Sequence, residues 1–274
     1  MELPILQLQD VDYIYLDKFP ALANINLDVN SGERVCILGA NGSGKSTLLK
    51  ILNAIAFPSN GIVKAFGQSL KENILEGGEF SRYFRQRVGF VFQDPDVQLF
   101  SATVEDEIAF GPLQLDIAKD EVEKRVDDLL QMLGIAALKH RPPYSISGGE
   151  KKKVAIASVL ANNPDVLLLD EPTNGLDPRT QVWLIELLEG LSDAGKTIII
   201  ATHDLSLAAD ISDRVVVLNE GHKIAADGNT MDILGNRKLL LEVNLIHEHA
   251  HRHGETVHVH SHGPFADHEH EKEK

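Results

Sequence analysis

The sequence predicts an α/β fold: a phosphate-loop core around a parallel sheet, an antiparallel β subdomain at the N-terminus and an inserted α-helical subdomain. Three observations predict it. Short apolar runs at residues 34–38 (RVCIL), 87–93 (RVGFVFQ), 166–169 (VLLL) and 197–201 (TIIIA) read as buried strands, and they alternate with helical stretches. Residues 3–15 and 24–29 instead alternate apolar and polar side chains, as antiparallel strands with one wet face do. From Asp94 to about Leu160 the period becomes helical.

Taken in order, the two alternating segments and residues 61–66 (GIVKAF) form the small sheet, followed by a polar, glycine-containing stretch over 67–78. The strand at 34–38 runs into residues 39–47, GANGSGKST, which fill every position of G-x-x-x-x-G-K-[ST], and residues 45–56 follow as a helix. The strand at 87–93 leaves Gln93 at its carboxyl end, the edge where ligands bind in open α/β sheets. Residues 104–110 and 119–133 are the first helices of the insertion, the second buried through Val122, Val126, Leu129, Leu130 and Leu133 and stopped by Gly134. Pro142 and Pro143 break the chain, and SISGGE leads into a helix over 151–161. The core resumes with the strand ending in Asp170 and Glu171, a helix over 178–194, and the strand ending in Thr202, His203 and Asp204. Residues 214–218 and 223–226 read as a hairpin, and two short helices around 231–235 and 237–244 close a domain spanning 1–245.

The loop at 39–47 is a phosphate cradle. Gly39, Gly42 and Gly44 let the backbone approach a polyphosphate, with Asn41 and Ser43 between them, so that amides and a helix N-terminus face anionic oxygens. Lys45 adds a charge near the β and γ phosphates, the Ser46 hydroxyl is placed to ligate Mg²⁺, and Thr47 continues the helix start. Asp170 is the metal-side carboxylate at the same sheet edge. Glu171 is positioned to polarise a water for attack on the γ phosphate; its blander role would be to cap the next element. His203 reaches the same edge and contacts that phosphate and water.

Composition excludes other classes. The chain has 274 residues, is 43% hydrophobic and 24% charged, and contains no apolar run long enough to span a bilayer. Its N-terminus lacks the basic and apolar regions of an export signal. A net charge of −15 argues against nucleic acid as partner. The single cysteine, Cys36, lies in a buried strand and reads as packing in a reducing compartment.

With these motifs in order over residues 1–245, the chain resembles the ATP-binding subunits of ABC transporters, whose LSGGQ appears here as ISGGE, 146–150. The resemblance implies an ATPase using ATP and Mg²⁺, with Tyr15 stacked on adenine, Gln93 on the metal and coupling to a membrane partner, and His203 as the switch histidine. It further implies that Ser147, Gly148 and Gly149 reach the γ phosphate bound by another subunit, in a homodimer or heterodimer, and that Asp177 (in NGLD) is among the nucleotide-binding residues. A serine and two glycines at a positive helix end form a second anion site. Glu150 and Asn174 depart from the family's usual glutamine and serine.

The stretch 93–112, QDPDVQLFSATVEDEIAFGP, with YLDKFPAL near the start, is similar to the energy-coupling-factor branch of importers. That implies a transmembrane coupling protein, a substrate-specific membrane component, and a peripheral position on the cytoplasmic face of the cell membrane. Residues 246–274 form a flexible, histidine-rich tail poor in apolar residues. Of 12 histidines, only His140, His203 and His222 lie outside it; His247, His249, His251, His253, His258, His260, His262, His268 and His270 lie within. Neutral imidazoles suit Co²⁺ and Ni²⁺, and histidines two residues apart share one face of an extended chain. The tail therefore points to a cobalt or nickel importer with a metal-gathering extension. A vitamin importer would use a similar motor, and a soluble metallochaperone NTPase could join a histidine-rich segment to a phosphate loop, although SGG and His203 argue against it. A non-transport ABC protein would usually carry two cassettes or long insertions.

Overall fold

The computed structural model describes residues 3–253 and 256–262. It begins with β1 (Leu6–Tyr15), β2 (Phe19–Val29), β3 (Arg34–Leu38) and α1 (Lys45–Leu52). There follow β4 (Asn60–Ala65), β5 (Gln68–Ser69), α2 (Glu72–Leu75), α3 (Glu79–Arg87) and β6 (Val88–Val91). The insertion contains α4 (Val104–Gln114), α5 (Lys119–Met132) and α6 (Gly148–Leu160). The core returns with β7 (Val166–Asp170), α7 (Pro178–Asp193), β8 (Thr197–Thr202), α8 (Leu205–Ile211), β9 (Arg214–Leu218) and β10 (Ile224–Asn229). Last come α9 (Thr230–Gly235), α10 (Arg237–Glu242), β11 (His247–His253) and β12 (Thr256–His262).

The main sheet has the order β10-β9-β3-β8-β7-β6, parallel except for the β9–β10 hairpin. Its central strands β7 and β8 bury both faces, as their near-continuous apolar sequences require. Val35, Ile37, Leu168, Ile199 and Val216 pack against Leu48, Leu49, Ile51 and Leu52 of α1. On α1's other side lies the antiparallel sheet β2-β1-β4-β5, which contributes Leu6, Leu8, Val11 and Ile25 to the same core. Thus α1 is enclosed between two sheets, which fixes the loop that precedes it. The opposite face of the main sheet is covered by Ile156 of α6, Leu184 and Leu188 of α7, and Leu207 of α8. Cys36 packs there beside Leu205, Ala208 and Leu240, and burial pushes its thiol well above the usual value, so it is no nucleophile at neutral pH.

The insertion has its own core, in which Val104 and Ile108 of α4 meet Val122, Val126 and Leu130 of α5 and Val154 and Ala157 of α6. Gly134 follows α5 with φ 66, the left-handed stop expected of it. Lys152 of α6 is 1% exposed, and burial pushes its ammonium down to about 8 against the opposing pull of Asp170 and Asp94. Among the described residues no helix is long and apolar enough to cross a membrane.

Several boundaries differ from those read in the sequence. Helix α3 occupies residues 79–86, for which no element was read, and takes Arg87 from the strand read at 87–93; it packs through Phe84, and Arg87 lies over the Phe66 and Tyr83 rings. Helix α1 stops at Leu52, four residues early, where Ala54 adopts φ 52. Helix α6 starts three residues early, within the ISGGE segment itself, because Ser147 and Glu150 form a reciprocal cap. The tail contributes to neither main sheet: β11 and β12 pair antiparallel with each other, placing His247 opposite His262, His249 opposite His260 and His251 opposite His258. Its period-two spacing suits extended backbone. His268 and His270 lie outside the described residues.

Candidate active site

Between β3 and α1 the chain turns through Gly44, which caps α1 at φ 109; a Cβ there would lie 2.2 Å from the Ala21 carbonyl oxygen. Only glycine fits. The first-turn amides of α1 and its positive end then face a cleft of about 500 Å³ lined by Asn41, Gly42, Gly44, Lys45, Ser46 and Thr47. In the same loop, though not in the cleft lining, the hydroxyl of Ser43 is buried without a hydrogen-bond partner among the described residues. A loop of this shape, with an unpaired polar atom and a helix N-terminus, fits a polyphosphate. Lys45 Nζ donates to the Gly39 carbonyl at 2.8 Å and stands 3.4 Å from Glu171 Oε1. Its charge is therefore held at the floor of the cleft.

Asp170 ends β7, and its Oδ1 accepts a hydrogen bond from Ser46 Oγ at 2.9 Å. Burial raises the Asp170 carboxyl above its usual range, while the Ser46 hydroxyl opposes that shift. A hydroxyl and a carboxylate in contact, with Gln93 lining the same cleft, form an oxygen donor set suited to Mg²⁺.

Glu171 has φ 40, a strained conformation for a side chain of its size, and its amide donates to the Ala201 carbonyl at 2.8 Å. Two neighbours hold its carboxylate: Thr202 Oγ1 donates to Oε2 at 3.0 Å and His203 Nδ1 donates to Oε1 at 2.9 Å. Because a carboxylate only accepts, this contact requires a proton on His203 Nδ1. Capping does not explain Glu171, since the next helix, α7, is capped by Asp177. Glu171 and His203 both line the cleft. A buried carboxylate beside a phosphate-binding floor can accept a proton from water.

Tyr15 also lines the cleft, and its hydroxyl is 3.1 Å from Thr47 Oγ1. Ser147, Gly148, Gly149 and Asp177 are not part of its lining. Ser147 caps α6, where Glu150 Oε2 accepts from both its amide and its hydroxyl at 2.8 Å. Asp177 accepts from the amides of Arg179 and Thr180. The structure thus brings together the phosphate loop, Gln93, Glu171 and His203 but leaves SGG elsewhere. Phe19, Pro20, Ala21, Asn174 and His222 line the cleft without having been singled out for it. His222 lies in the turn after β9 with Nδ1 3.3 Å from the Ser43 carbonyl oxygen. No motif surrounds it, and its place follows only from the pairing of β9 with β3. Among the described residues, no group of three or more His, Cys, Asp or Glu is arranged to hold a metal ion.

Comparison with known proteins places this geometry. The family described as ABC transporter matches residues 22–174. A putative ABC transporter ATP-binding protein of Caldanaerobacter subterraneus subsp. tengcongensis is 54% identical over 243 residues, covering 88% of this chain and 99% of the relative. The nickel import ATP-binding protein NikO of Rhodobacter capsulatus is 47% identical over 246 residues, covering 89% and 96%. Among solved structures, cbiO1 of Clostridium perfringens, described as part of the ABC transporter complex cbiONQ, superposes with a TM-score of 0.74 at 39% identity, covering 89% of this chain and 96% of that one.

Proposed function

Given that the chain belongs to the ABC transporter family as an ATP-hydrolysing subunit, we propose that it drives an energy-coupling-factor importer of cobalt or nickel ions. The observation that carries the ion is the tail, with nine histidines, seven of them in the paired strands β11 and β12. The similarity to NikO, a nickel import protein by name, and to cbiO1 supports the importer class.

In this reading Glu171 accepts the proton of the water that attacks the γ phosphate, and His203, its ring held by Glu171, presents Nε2 as an acceptor to the water or, when protonated, as a donor to a phosphate oxygen. Lys45 exchanges the Gly39 carbonyl for phosphate oxygens. When bound, Mg²⁺ would be held by Ser46, Asp170 and Gln93 and would neutralise charge on the β and γ phosphates. Tyr15 stacks on adenine. The absence of SGG from the cleft lining supports a head-to-tail pair in which Ser147, Gly148 and Gly149 of one subunit complete the site of another, with Asp177 at the same interface. A membrane coupling protein and a substrate-specific membrane component complete the complex, with this chain on the cytoplasmic face. Residues 1–245 are the motor, with the helical subdomain at about 94–160, and residues 246–274 gather or buffer the metal near the importer on its cytoplasmic side. Their affinity falls as pH drops through about 6.5, where imidazole protonates.

The test is uptake of radioactive cobalt and nickel by cells making the chain with its membrane partners. Glu171→Gln should abolish uptake, and truncation after Leu245 should weaken it only at low metal. Uptake of a vitamin but neither ion would overturn the metal reading and leave the motor.

A further inference from the structure

The loop that carries Gln93 is stitched to helix α6 by side chains with no part in the chemistry above. Lys152 Nζ donates to the carbonyls of Phe92 at 3.1 Å and Gln93 at 2.8 Å. Gln98 Oε1 accepts from the Phe92 amide at 3.1 Å, while its Nε2 donates to the Ala155 carbonyl at 2.8 Å and to Ser158 Oγ at 3.2 Å. Lys151 Nζ adds an exposed ion pair to Asp96 at 2.6 Å. The backbone at 92 and 93 therefore takes its hydrogen bonds from the insertion, immediately after β6 has left the main sheet.

Lys152 is an unusual choice for this place. A lysine this buried normally pairs with a carboxylate, but its described hydrogen bonds go to two main-chain carbonyls. Two charge-assisted bonds to adjacent carbonyls fix the peptide plane between Phe92 and Gln93, and so the direction from which the Gln93 side chain leaves the backbone. Lys152 also lies five residues beyond Ser147 on α6, about 7.5 Å along a rigid helix.

We propose that Lys152 and Gln98 are positioning residues that lock the Gln93 loop to α6, so that Gln93 meets the metal side of the nucleotide site only in step with the second anion site at Ser147. Loosening either residue frees Gln93 from α6 while leaving the phosphate loop untouched. The lock rests on the assignment of Gln93 to the metal side.

The experiment measures equilibrium binding of a fluorescent ATP analogue by the full chain, first in EDTA and then across a Mg²⁺ titration. Hydrogen exchange of the segment 92–98 is followed in parallel. Lys152→Met should leave binding in EDTA within about twofold of wild type and raise the Mg²⁺ concentration for half-saturation about tenfold, a part of what its two charge-assisted hydrogen bonds are worth. Gln98→Leu, which keeps Lys152 and is the deciding variant if Lys152→Met does not fold, should raise it in the same direction and speed exchange of the Phe92 amide. Lys153→Met is the control: Lys153 sits on the same helix but over the Trp183 ring, 4.4 Å from its centroid, and its loss should not change the Mg²⁺ requirement. The lock is overturned if Lys152→Met and Gln98→Leu fold and titrate with Mg²⁺ as wild type does, or if Lys153→Met matches them. If Gln93→Ala leaves the Mg²⁺ requirement unchanged, the underlying assignment of Gln93 fails instead.

Discussion

His203 Nδ1 lies 2.9 Å from Glu171 Oε1, joining the ends of two neighbouring parallel strands across the floor of the nucleotide cleft. The contact orients the imidazole ring and restrains the carboxylate. His203→Ala should lower hydrolysis about 100-fold while changing ATP affinity little, because a positioned acid–base group acts mainly in the transition state. His203→Gln keeps a polar side chain and should recover part of the loss. A steady-state comparison of kcat and KM separates the two effects.

Ser46 Oγ and Asp170 Oδ1 are 2.9 Å apart and form the oxygen pair proposed for Mg²⁺. Ser46→Ala should raise the Mg²⁺ needed for half-maximal hydrolysis about tenfold. Asp170→Asn should do so more strongly, since it also removes a charge. Equal Mg²⁺ curves for wild type and both variants would place the metal elsewhere.

Glu150 closes the cap on Ser147 and occupies the position where the family usually has glutamine. The Ser147 amide, and then its hydroxyl, hold the Glu150 carboxyl below the usual range. A carboxyl lowered by folding adds stability above its unfolded value of 4.5, and that contribution is lost as pH falls through the lowered folded value. The stability advantage of wild type over Glu150→Gln should therefore shrink on acidification from pH 7 to pH 3, as read from Tm at each pH. At pH 7 the same variant should pair more tightly in ATP, because a neutral amide holds the Ser147 hydroxyl less strongly and adds no negative charge beside a phosphate.

Gly44→Ala should abolish nucleotide binding. The new Cβ would meet the Ala21 carbonyl at 2.2 Å in a left-handed backbone, so the loop must move away from α1. Gly42→Ala strains the backbone equally at φ 84 but meets no atom within 4 Å, and should retain more binding. Calorimetric titration with ATP distinguishes the two variants.

The parts of the fold legible in the sequence were those where one local pattern sufficed. The strands ending at Leu38, Asp170 and Thr202 are continuous apolar runs, and GANGSGKST dictates the turn between β3 and α1. Helix α3 was obscured because its polar residues dominate SRYFRQR; the usable signal was Phe80 and Phe84, four residues apart and both at the core. The early start of α6 was written in the S-x-x-E spacing of Ser147 and Glu150, which was read only as an anion site. His222 and the Lys152–Gln98 stitching could not be read at all, since each depends on which strand or helix lies alongside. Sequence motifs identified groups along single elements, while the spaces between elements required the fold.

The most direct measurement is the comparison of ATP binding and ATP hydrolysis in wild type and Glu171→Gln. The account predicts that the variant binds ATP within about threefold of wild type, since the phosphate loop is intact, while hydrolysis falls at least about 100-fold for want of the carboxylate that takes the water's proton. Hydrolysis at near wild-type rates with Gln at position 171 would contradict it and move the general base to another residue of the cleft.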